Sequence, residues 1–217
     1  MNMPFTTEQF FQVFESYNLA IRPMQAIAYL LALIAVVLAL KPIRLSSGII
    51  SGILTFFWIW IGVAYHFLYF AEINEAAYAF GALFVLQGIL FFPAGILKGR
   101  LSFAFKPGVN GLVGALFIAY AMVFYPIIGA VLGHGYPRSP SFGVTPCPAT
   151  IFTFGLLLWT DKRVPRHVLW IPLLWSLIGF SAALTLRVRE DIALLAAGLL
   201  GAALILLRDK LKTSREA

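Results

Sequence analysis

The stretch GHGYPRSPSFGVTPCPATIF, residues 133–152, joins a proline-rich connector to an apolar run and contains the only cysteine of the chain. With Thr145 as the N-cap of a helix, Pro146 and Pro148 take the first and third helical positions, where a helix start leaves N–H groups without partners. Neither proline has an N–H, and we expect the Thr145 hydroxyl to accept a hydrogen bond from the Cys147 N–H. The stretch therefore predicts a helix that begins below the surface of an apolar bundle.

The composition of the whole chain is that of an integral membrane protein. Hydrophobic residues make up 61% of it, charged residues 12%, and the mean hydropathy is +0.90, whereas soluble domains carry about 25% charged residues. A spanning helix needs about 20 mostly apolar residues. We predict one all-α transmembrane domain over residues 1–217, with seven transmembrane helices at about 23–40, 48–70, 76–97, 109–132, 145–160, 167–186 and 192–207.

The basic residues predict how these seven spans are oriented. With the N-terminus outside, 12 of the 16 Lys and Arg residues lie on the inner side and the other 4 on the outer side. The inner residues are Lys41, Arg44, Lys98, Arg100, Lys106, Lys162, Arg163, Arg166, Arg208, Lys210, Lys212 and Arg215, and the outer ones are Arg22, Arg138, Arg187 and Arg189. Because an excess of Lys and Arg marks cytoplasmic loops, we predict an N-out, C-in topology with residues 208–217 as a cytoplasmic tail. The net charge of +7 is then a topology signal, and no nucleic-acid partner is expected.

Residues 6–19, TTEQFFQVFESYNL, predict a short amphipathic helix ahead of the first span. Thr6 or Thr7 can cap its start. Four aromatic residues are spaced for one face of this helix, namely Phe10, Phe11, Phe14 and Tyr17. Such a helix is expected to lie in the outer membrane interface, although a longer first helix with a frayed start is the alternative.

Ionisable residues are not expected deep inside any of the seven predicted spans, which argues against a proton pump. The last span also lacks the lysine that a retinal protein needs. Gln87, near the middle of the third span, predicts a hydrogen bond between helices or, alternatively, a ligand contact. Small residues every four positions in the fourth and seventh spans predict either close packing inside the bundle or an interface with a second copy of the chain.

Several chemically capable side chains fall on the predicted outer side. His134, Tyr136 and Arg138 lie in the connector, His66 lies near the outer end of the second span, and Cys147 starts the fifth. Two imidazoles and one thiol suit a soft metal such as Cu(I), or Zn, so His66, His134 and Cys147 are candidate metal ligands. All five are candidate ligand-binding residues, and the alternative for each is a purely structural role.

Three segments resemble a family of bacterial multi-pass membrane proteins that is classed as a domain of unknown function. They are MPFTTEQFFQVFESYN near the start, YHFLYFAEIN at 65–74, and GHGYP followed by FGVTPCPATIFTFGLLLW within 133–159. The resemblance covers nearly the whole chain. It implies a bacterial origin and a multi-pass location in the inner membrane, and it implies no activity, cofactor or site residue.

Three classes of function remain open at this stage. The favoured one is a small-molecule or soft-metal binding protein, a permease or a sensor, with an outward-facing pocket. The second is a structural or accessory subunit of a larger membrane complex. The third, less favoured because no serine–histidine–acid grouping is legible, is an intramembrane enzyme that acts on an apolar substrate. A nucleotide-binding glycine motif is also absent, so nucleotide-driven transport would need a partner.

Overall fold

The chain is all-helical in the computed structural model, which describes residues 4–186 and 188–216. Over those residues there is no strand, and one isolated β-bridge joins Phe103 to Thr160. Arg187, which the charge count assigns to the outer side, lies outside the described residues, as do residues 1–3 and 217. The helices are α1 Thr7–Ala20, α2 Met24–Leu40, α3 Ser46–Glu72, α4 Ala76–Leu97, α5 Val109–Val131, α6 Pro146–Leu158, α7 His167–Leu186 and α8 Ile192–Glu216, the last preceded by a 3₁₀ turn at Arg189–Asp191.

Several of these helices are long and apolar enough to cross a membrane. Five pass this test, namely α3, α4, α5, α7 and α8 with its preceding turn, and the bent pair α1 and α2 would make a sixth. Helix α6 is shorter, at 13 residues. The predicted all-α class is therefore confirmed, while the count of seven spans and their orientation stay predictions.

Helix α6 forms the centre of the bundle. All of its residues except Cys147 are buried, and it packs against α3, α5, α7 and α8. A helix that is apolar on every side needs such surroundings, because no face of it suits water. At roughly 1.5 Å per residue α6 is about 20 Å long, so the longer helices around it extend beyond both of its ends.

Thr145 is the N-cap of α6, as predicted, with the extended backbone that this position requires. The prediction for its hydroxyl was wrong: the hydroxyl accepts no bond from the helix and donates to the Ser141 carbonyl at 2.8 Å. The Thr145 N–H also donates to the Ser141 carbonyl, at 3.1 Å. Residues 141–145 thus form a turn, and the Thr145 hydroxyl is directed toward Ser141 instead of toward the helix.

Glycines allow the central helices to approach closely. A Cβ on Gly155 in α6 would lie 2.9 Å from the Gly114 carbonyl in α5, and a Cβ on Gly114 would lie 2.8 Å from the Gly155 carbonyl. The small residues of α8 also face inward, since a Cβ on Gly201 would lie 3.0 Å from the Phe154 ring. For the row in the predicted seventh span, which includes Gly201, close packing inside the bundle is therefore observed, and it was one of the two alternatives.

Three long helices contain π-helical segments, at Ile61–Phe67 in α3, Pro93–Leu97 in α4 and Tyr120–Phe124 in α5. A π-helical segment widens the helix locally and shifts the side chains that follow it, and such segments often occur at functional sites. The segments in α3 and α5 place Tyr65, His66 and Tyr120 near the end of the bundle where α1 lies.

Helix α1 lies across one end of the bundle. Thr6 caps it in a capping box with Gln9, and α1 and α2 meet at 82°, so the two do not form one long helix. The connector between α5 and α6 packs beneath α1: the Asn18 amide donates to the Pro137 and Ser139 carbonyls at 2.7 and 2.8 Å, and the Tyr17 hydroxyl donates to the Val144 carbonyl at 2.8 Å.

The opposite end of the bundle gathers the basic loops. The Phe105 N–H donates to the Ala39 carbonyl, and the Ala104 N–H donates to the Trp159 carbonyl, both at 2.8 Å. The Arg208 guanidinium donates to the Thr160 carbonyl at 2.8 Å. The loops after α2, α4 and α6 and the last turns of α8 therefore meet at one end, away from α1 and the connector.

We predict that Gly155→Ala destabilises the bundle by about 1–3 kcal/mol, because the added methyl group overlaps the Gly114 carbonyl and Ile118 in α5. The control is Gly48→Ala in α3, where a Cβ has open space around it and alanine improves helix propensity. Thermal unfolding of the purified variants in one detergent measures both. Equal midpoints for the two variants would contradict the close α5–α6 contact.

Candidate functional site

A cavity of about 190 Å³ lies at the α1 end of the bundle, between α1, α3, α4, α7 and the N-terminus of α6. A pocket of roughly 150 Å³ is known to hold a benzene ring, so this one accommodates a small organic molecule. Its walls are mainly aromatic, from Phe5, Phe10, Phe14, Tyr65, Phe70, Phe80 and Trp175. Four polar side chains also line it, namely Asn74, Cys147, Ser181 and Asp191.

Asp191 is the ionisable residue of this lining, and it is only 5% exposed. Its carboxylate accepts a hydrogen bond from the Tyr125 hydroxyl. The Cys147 thiol also interacts with it. Both partners are neutral groups, one from α5 just beyond its π-helical segment and one from the first turn of α6.

Glu190 lies beside Asp191 and is fully buried. Its Oε1 is 2.8 Å from the Nε2 of His134, whose ring stacks on Phe11 of α1 with ring centroids 4.9 Å apart. Its Oε2 has no hydrogen-bond partner among the described residues, and its main-chain carbonyl accepts from the Tyr120 hydroxyl at 2.8 Å. The two adjacent acids thus point to different partners, Glu190 to the connector and Asp191 to the cavity.

Glu190 and Asp191 lie between the predicted sixth and seventh spans, so they do not contradict the expectation that the spans themselves carry no deep ionisable residue. Both are nevertheless buried, which a position in a loop did not lead us to expect. The structure turns them inward because the link between α7 and α8 is very short: the Val188 N–H donates to the Ala183 carbonyl at 3.1 Å, and the Asp191 N–H donates to the Val188 carbonyl at 3.1 Å. Because the loop is this short, Glu190 and Asp191 lie against the ends of the two helices, where both are buried.

Trp175 and Cys147 meet at one wall of the cavity. A Cβ on Gly179 in α7 would lie 3.6 Å from both the Cys147 Sγ and the Trp175 Nε1. The indole N–H has no partner with hydrogen-bond geometry among the described residues, although it is buried. A buried donor without a partner costs about 1–3 kcal/mol, so a group that accepts this bond from within the cavity would gain that energy.

His66 lies in an aromatic shell next to the cavity. It is fully buried, with ring centroids 4.9 Å from Phe84 and 5.3 Å from Trp175. Neither of its ring nitrogens has a hydrogen-bond partner among the described residues. It contacts four of the rings that line the cavity and does not line the cavity itself; the four are Tyr65, Phe70, Phe80 and Trp175.

The three predicted metal ligands are not brought together. Among the described residues, no three His, Cys, Asp or Glu side chains form a group that could hold a metal ion. His66 is enclosed by aromatic rings, His134 pairs with Glu190, and Cys147 lies beside Asp191. Trp175 contacts both His66 and Cys147, so an indole ring lies where two of these ligands would have to share an ion.

The other predicted site residues hold helices and loops in place. The Gln87 amide donates to the Val168 carbonyl at 3.0 Å, which is the predicted bond between helices. Tyr136 accepts a bond from Arg22 at 2.6 Å, and Arg138 pairs with Glu8 at 2.5 Å. The guanidinium holds the pKa of Glu8 below its usual value. Both contacts tie the connector to the segment around α1, above the cavity.

Comparison with known families matches residues 7–216 of the chain to a family described as "Family of unknown function (DUF6064)".

The chain belongs to the DUF6064 family. The expected membership of an uncharacterised family is confirmed, while the family description says nothing of bacterial origin or of a membrane. No curated protein and no solved structure matches the chain significantly.

Sequence reasoning missed four residues of the site, namely Tyr125, Trp175, Glu190 and Asp191. One signal was available for the acids, since only five residues separate the predicted sixth and seventh spans. Acidic residues in so short a link have to lie at the ends of the helices themselves. No sequence signal pointed to Tyr125 or Trp175, whose roles depend on the packing of α5 and α7 against α6.

We predict that Tyr125→Phe destabilises the protein by about 1–3 kcal/mol, because it leaves a buried carboxyl oxygen of Asp191 without its hydrogen-bond partner. The same change at Tyr78 in α4, which is 60% exposed, is the control and should alter stability little. Thermal unfolding in detergent measures both variants. A Tyr125→Phe protein as stable as the control would mean that Asp191 does not depend on this phenol.

Proposed function

We propose that this protein crosses the bacterial inner membrane seven times, with the α1 end outside, and binds a small molecule in its outward-facing cavity. The cavity supplies the main support for the binding role, since it combines aromatic walls with a buried carboxylate in an otherwise apolar protein. Pockets of this kind, apolar with a few convergent polar groups, are the usual form of small-molecule sites.

Support for seven crossings comes from where α6 begins and ends. The connector before it is bonded to α1 through Val144, and Trp159, the residue after it, is bonded to the basic end. The segments on either side of α6 thus lead to opposite ends of the bundle, although the helix is too short to span a bilayer alone. Together with α2 and the five long helices, it would make the seven proposed passes.

The lipid-facing surface supports membrane insertion. Large apolar side chains are exposed on the outer helices, including Leu33, Val37, Leu86, Leu116 and Leu199, each between 46% and 56% exposed. A soluble protein rarely exposes so much contiguous apolar surface. The basic loops gather at the end opposite α1, and the positive-inside tendency assigns that end to the cytoplasm. Helix α1, at 82° to α2, then lies in the outer interface.

A sensor or receptor fits the packing better than a permease. Below the cavity, every residue of α6 from Pro148 to Leu158 is buried, and glycines bring α5 and α6 into backbone contact. A passage toward the cytoplasmic end would have to open this core. The cavity lies beneath α1, where an occupant contacts a helix at the outer face.

The topology is tested with reporters fused to the C-terminus, in the tail that follows α8. We expect a cytoplasmically active reporter such as green fluorescent protein to function there and alkaline phosphatase to be inactive. A second fusion site after Gly133 tests the outer end and should give the reverse result. An active phosphatase at the C-terminus would overturn the proposed orientation.

The accessibility of the cavity is tested at Cys147, the only cysteine of the chain. We expect methyl methanethiosulfonate, a small neutral thiol reagent, to label Cys147 in the full-length protein in nanodiscs under mildly alkaline conditions. Ala182→Phe, which places a ring in the cavity lining, should slow the labelling at least tenfold. Ala196→Phe, on the exposed side of α8, is the control and should label at the original rate.

Either of two results would overturn the binding proposal. One is a Cys147 that resists the reagent while the denatured protein reacts fully. The other is labelling at the same rate in Ala182→Phe and Ala196→Phe, which would mean that the reagent does not pass through the cavity.

A further inference from the structure

The cavity combines one carboxylic acid with aromatic walls, and this combination indicates which class of ligand fits it. Asp191 is the one acid in the lining, and no Lys, Arg or His side chain lines the cavity among the described residues. The Tyr125 hydroxyl donates a hydrogen bond to Asp191, and the Cys147 thiol also interacts with it. Both stabilise a carboxylate without neutralising it.

A buried carboxylate without a cation is energetically unfavourable, because burial removes the water that would solvate its charge. The neighbouring Glu190 shows how this chain meets the problem elsewhere, with an imidazole 2.8 Å from its Oε1. The described basic residue nearest in sequence, Arg189, is exposed. Asp191 thus faces the cavity with no basic side chain beside it in the described lining, so its carboxyl group is open to a cationic partner.

The surrounding rings favour a cation over a neutral partner. Seven aromatic residues line the cavity, contributed by the segment before α1 and by α1, α3, α4 and α7. A cation within about 6 Å of an aromatic ring centre is attracted by the electron density of its face, and substituted ammonium groups are held by clusters of such rings. Their alkyl groups also suit an apolar wall better than a hydrated metal ion would.

We propose that the cavity binds a substituted ammonium group, with Asp191 as its counter-ion and the aromatic residues as its walls. This inference rests on the proposed binding function and names the ligand class for the same cavity. The ammonium group belongs either to a free small molecule or to the headgroup of an amine phospholipid, since the chemistry of the two is the same. The expected ligand is therefore cationic at neutral pH and about the size of a choline headgroup.

The test compares choline with 3,3-dimethylbutan-1-ol, which has the same shape with a carbon atom in place of the charged nitrogen. Full-length protein is placed in nanodiscs of phosphatidylglycerol, a lipid without an amine. Protection of Cys147 from methyl methanethiosulfonate and equilibrium dialysis of labelled choline both report binding. We expect choline to bind at least tenfold more tightly than its neutral analogue. Equal or tighter binding of the analogue would overturn the proposal.

Two variants separate charge from shape. Asp191→Asn should lower choline affinity at least tenfold, because the ligand loses its counter-ion, and should leave binding of the analogue unchanged. Asp161→Asn, the same substitution at the basic end, is its control.

Phe10→Leu should lower choline affinity about two- to fivefold through the loss of one ring, with Phe56→Leu, on the exposed side of α3, as its control. If Asp191→Asn does not fold, the Phe10 pair still decides, because unchanged choline affinity in Phe10→Leu would contradict an aromatic site for a cation.

Arg187 lies outside the described residues, so a variant of it tests whether this arginine is the partner of Asp191. Tighter choline binding in Arg187→Gln would mean that Arg187 is the cation for Asp191, and this would overturn the proposal. Unchanged binding supports it.

The source of the ammonium group is decided by a lipid exchange. In nanodiscs that contain phosphatidylethanolamine, loss of choline binding identifies a lipid headgroup as the ligand, whereas unchanged choline binding identifies a free molecule. Failure of both choline and its analogue to bind, with Cys147 still reachable, overturns the ammonium site alone. A Cys147 that no reagent reaches overturns the binding function itself.

Discussion

The shortness of the central helix determines much of this structure. Helix α6 is buried along nearly its whole length, yet at 13 residues it is about 20 Å long by helix geometry, and a bilayer core is roughly 30 Å thick. In the proposed membrane location, the chain would have to fill the remaining depth at both ends with something other than a helix. At the basic end the loops after α4 and α6 do so with main-chain hydrogen bonds to each other. At the other end the connector and α1 do so, and the space they leave is the cavity.

The first turn of this short helix also bears on the burial of Asp191. The first turn of a helix carries about half a positive charge from its N–H groups, and it favours an anion nearby. Asp191 interacts with Cys147, the second residue of α6. Pro146 and Pro148 remove N–H groups from that turn, so the helix end offers less positive charge than usual. Tyr125 and Cys147 therefore stabilise the Asp191 side chain more than the helix end does, and a cationic ligand would stabilise it further.

Much of the fold follows from local sequence, and the site does not. The apolar runs predict α2 to α8 closely, Thr6 is found as a cap, and Thr145 precedes two prolines at the start of α6. These features depend on neighbours within a few residues. The hydroxyl direction of Thr145 and the inward turn of Glu190 and Asp191 depend instead on how a turn or a short link packs against helices distant in sequence. His66 illustrates the same limit: its position near the α1 end was expected, but its enclosure by Phe84 and Trp175 required the packing of α3, α4 and α7.

Helix α1 links the two acids to one end of the bundle. Its Phe10 and Phe14 line the cavity that Asp191 faces, while Phe11, on the same helix, stacks on the histidine that pairs with Glu190. A change in the position of α1 would therefore alter both carboxylates at once. By reciprocity, a ligand that binds better to one position of α1 than to another would shift that helix relative to the bundle.

The polar contacts that hold α1 in place differ in their burial. The ion pair between Arg138 and Glu8 is exposed, and exposed ion pairs contribute little to stability. The buried bonds of Tyr17 and Asn18 to the connector hold α1 instead. Because the Tyr17 bond ends on Val144, which leads directly into α6, the helix at this end and the helix at the centre of the bundle are mechanically joined.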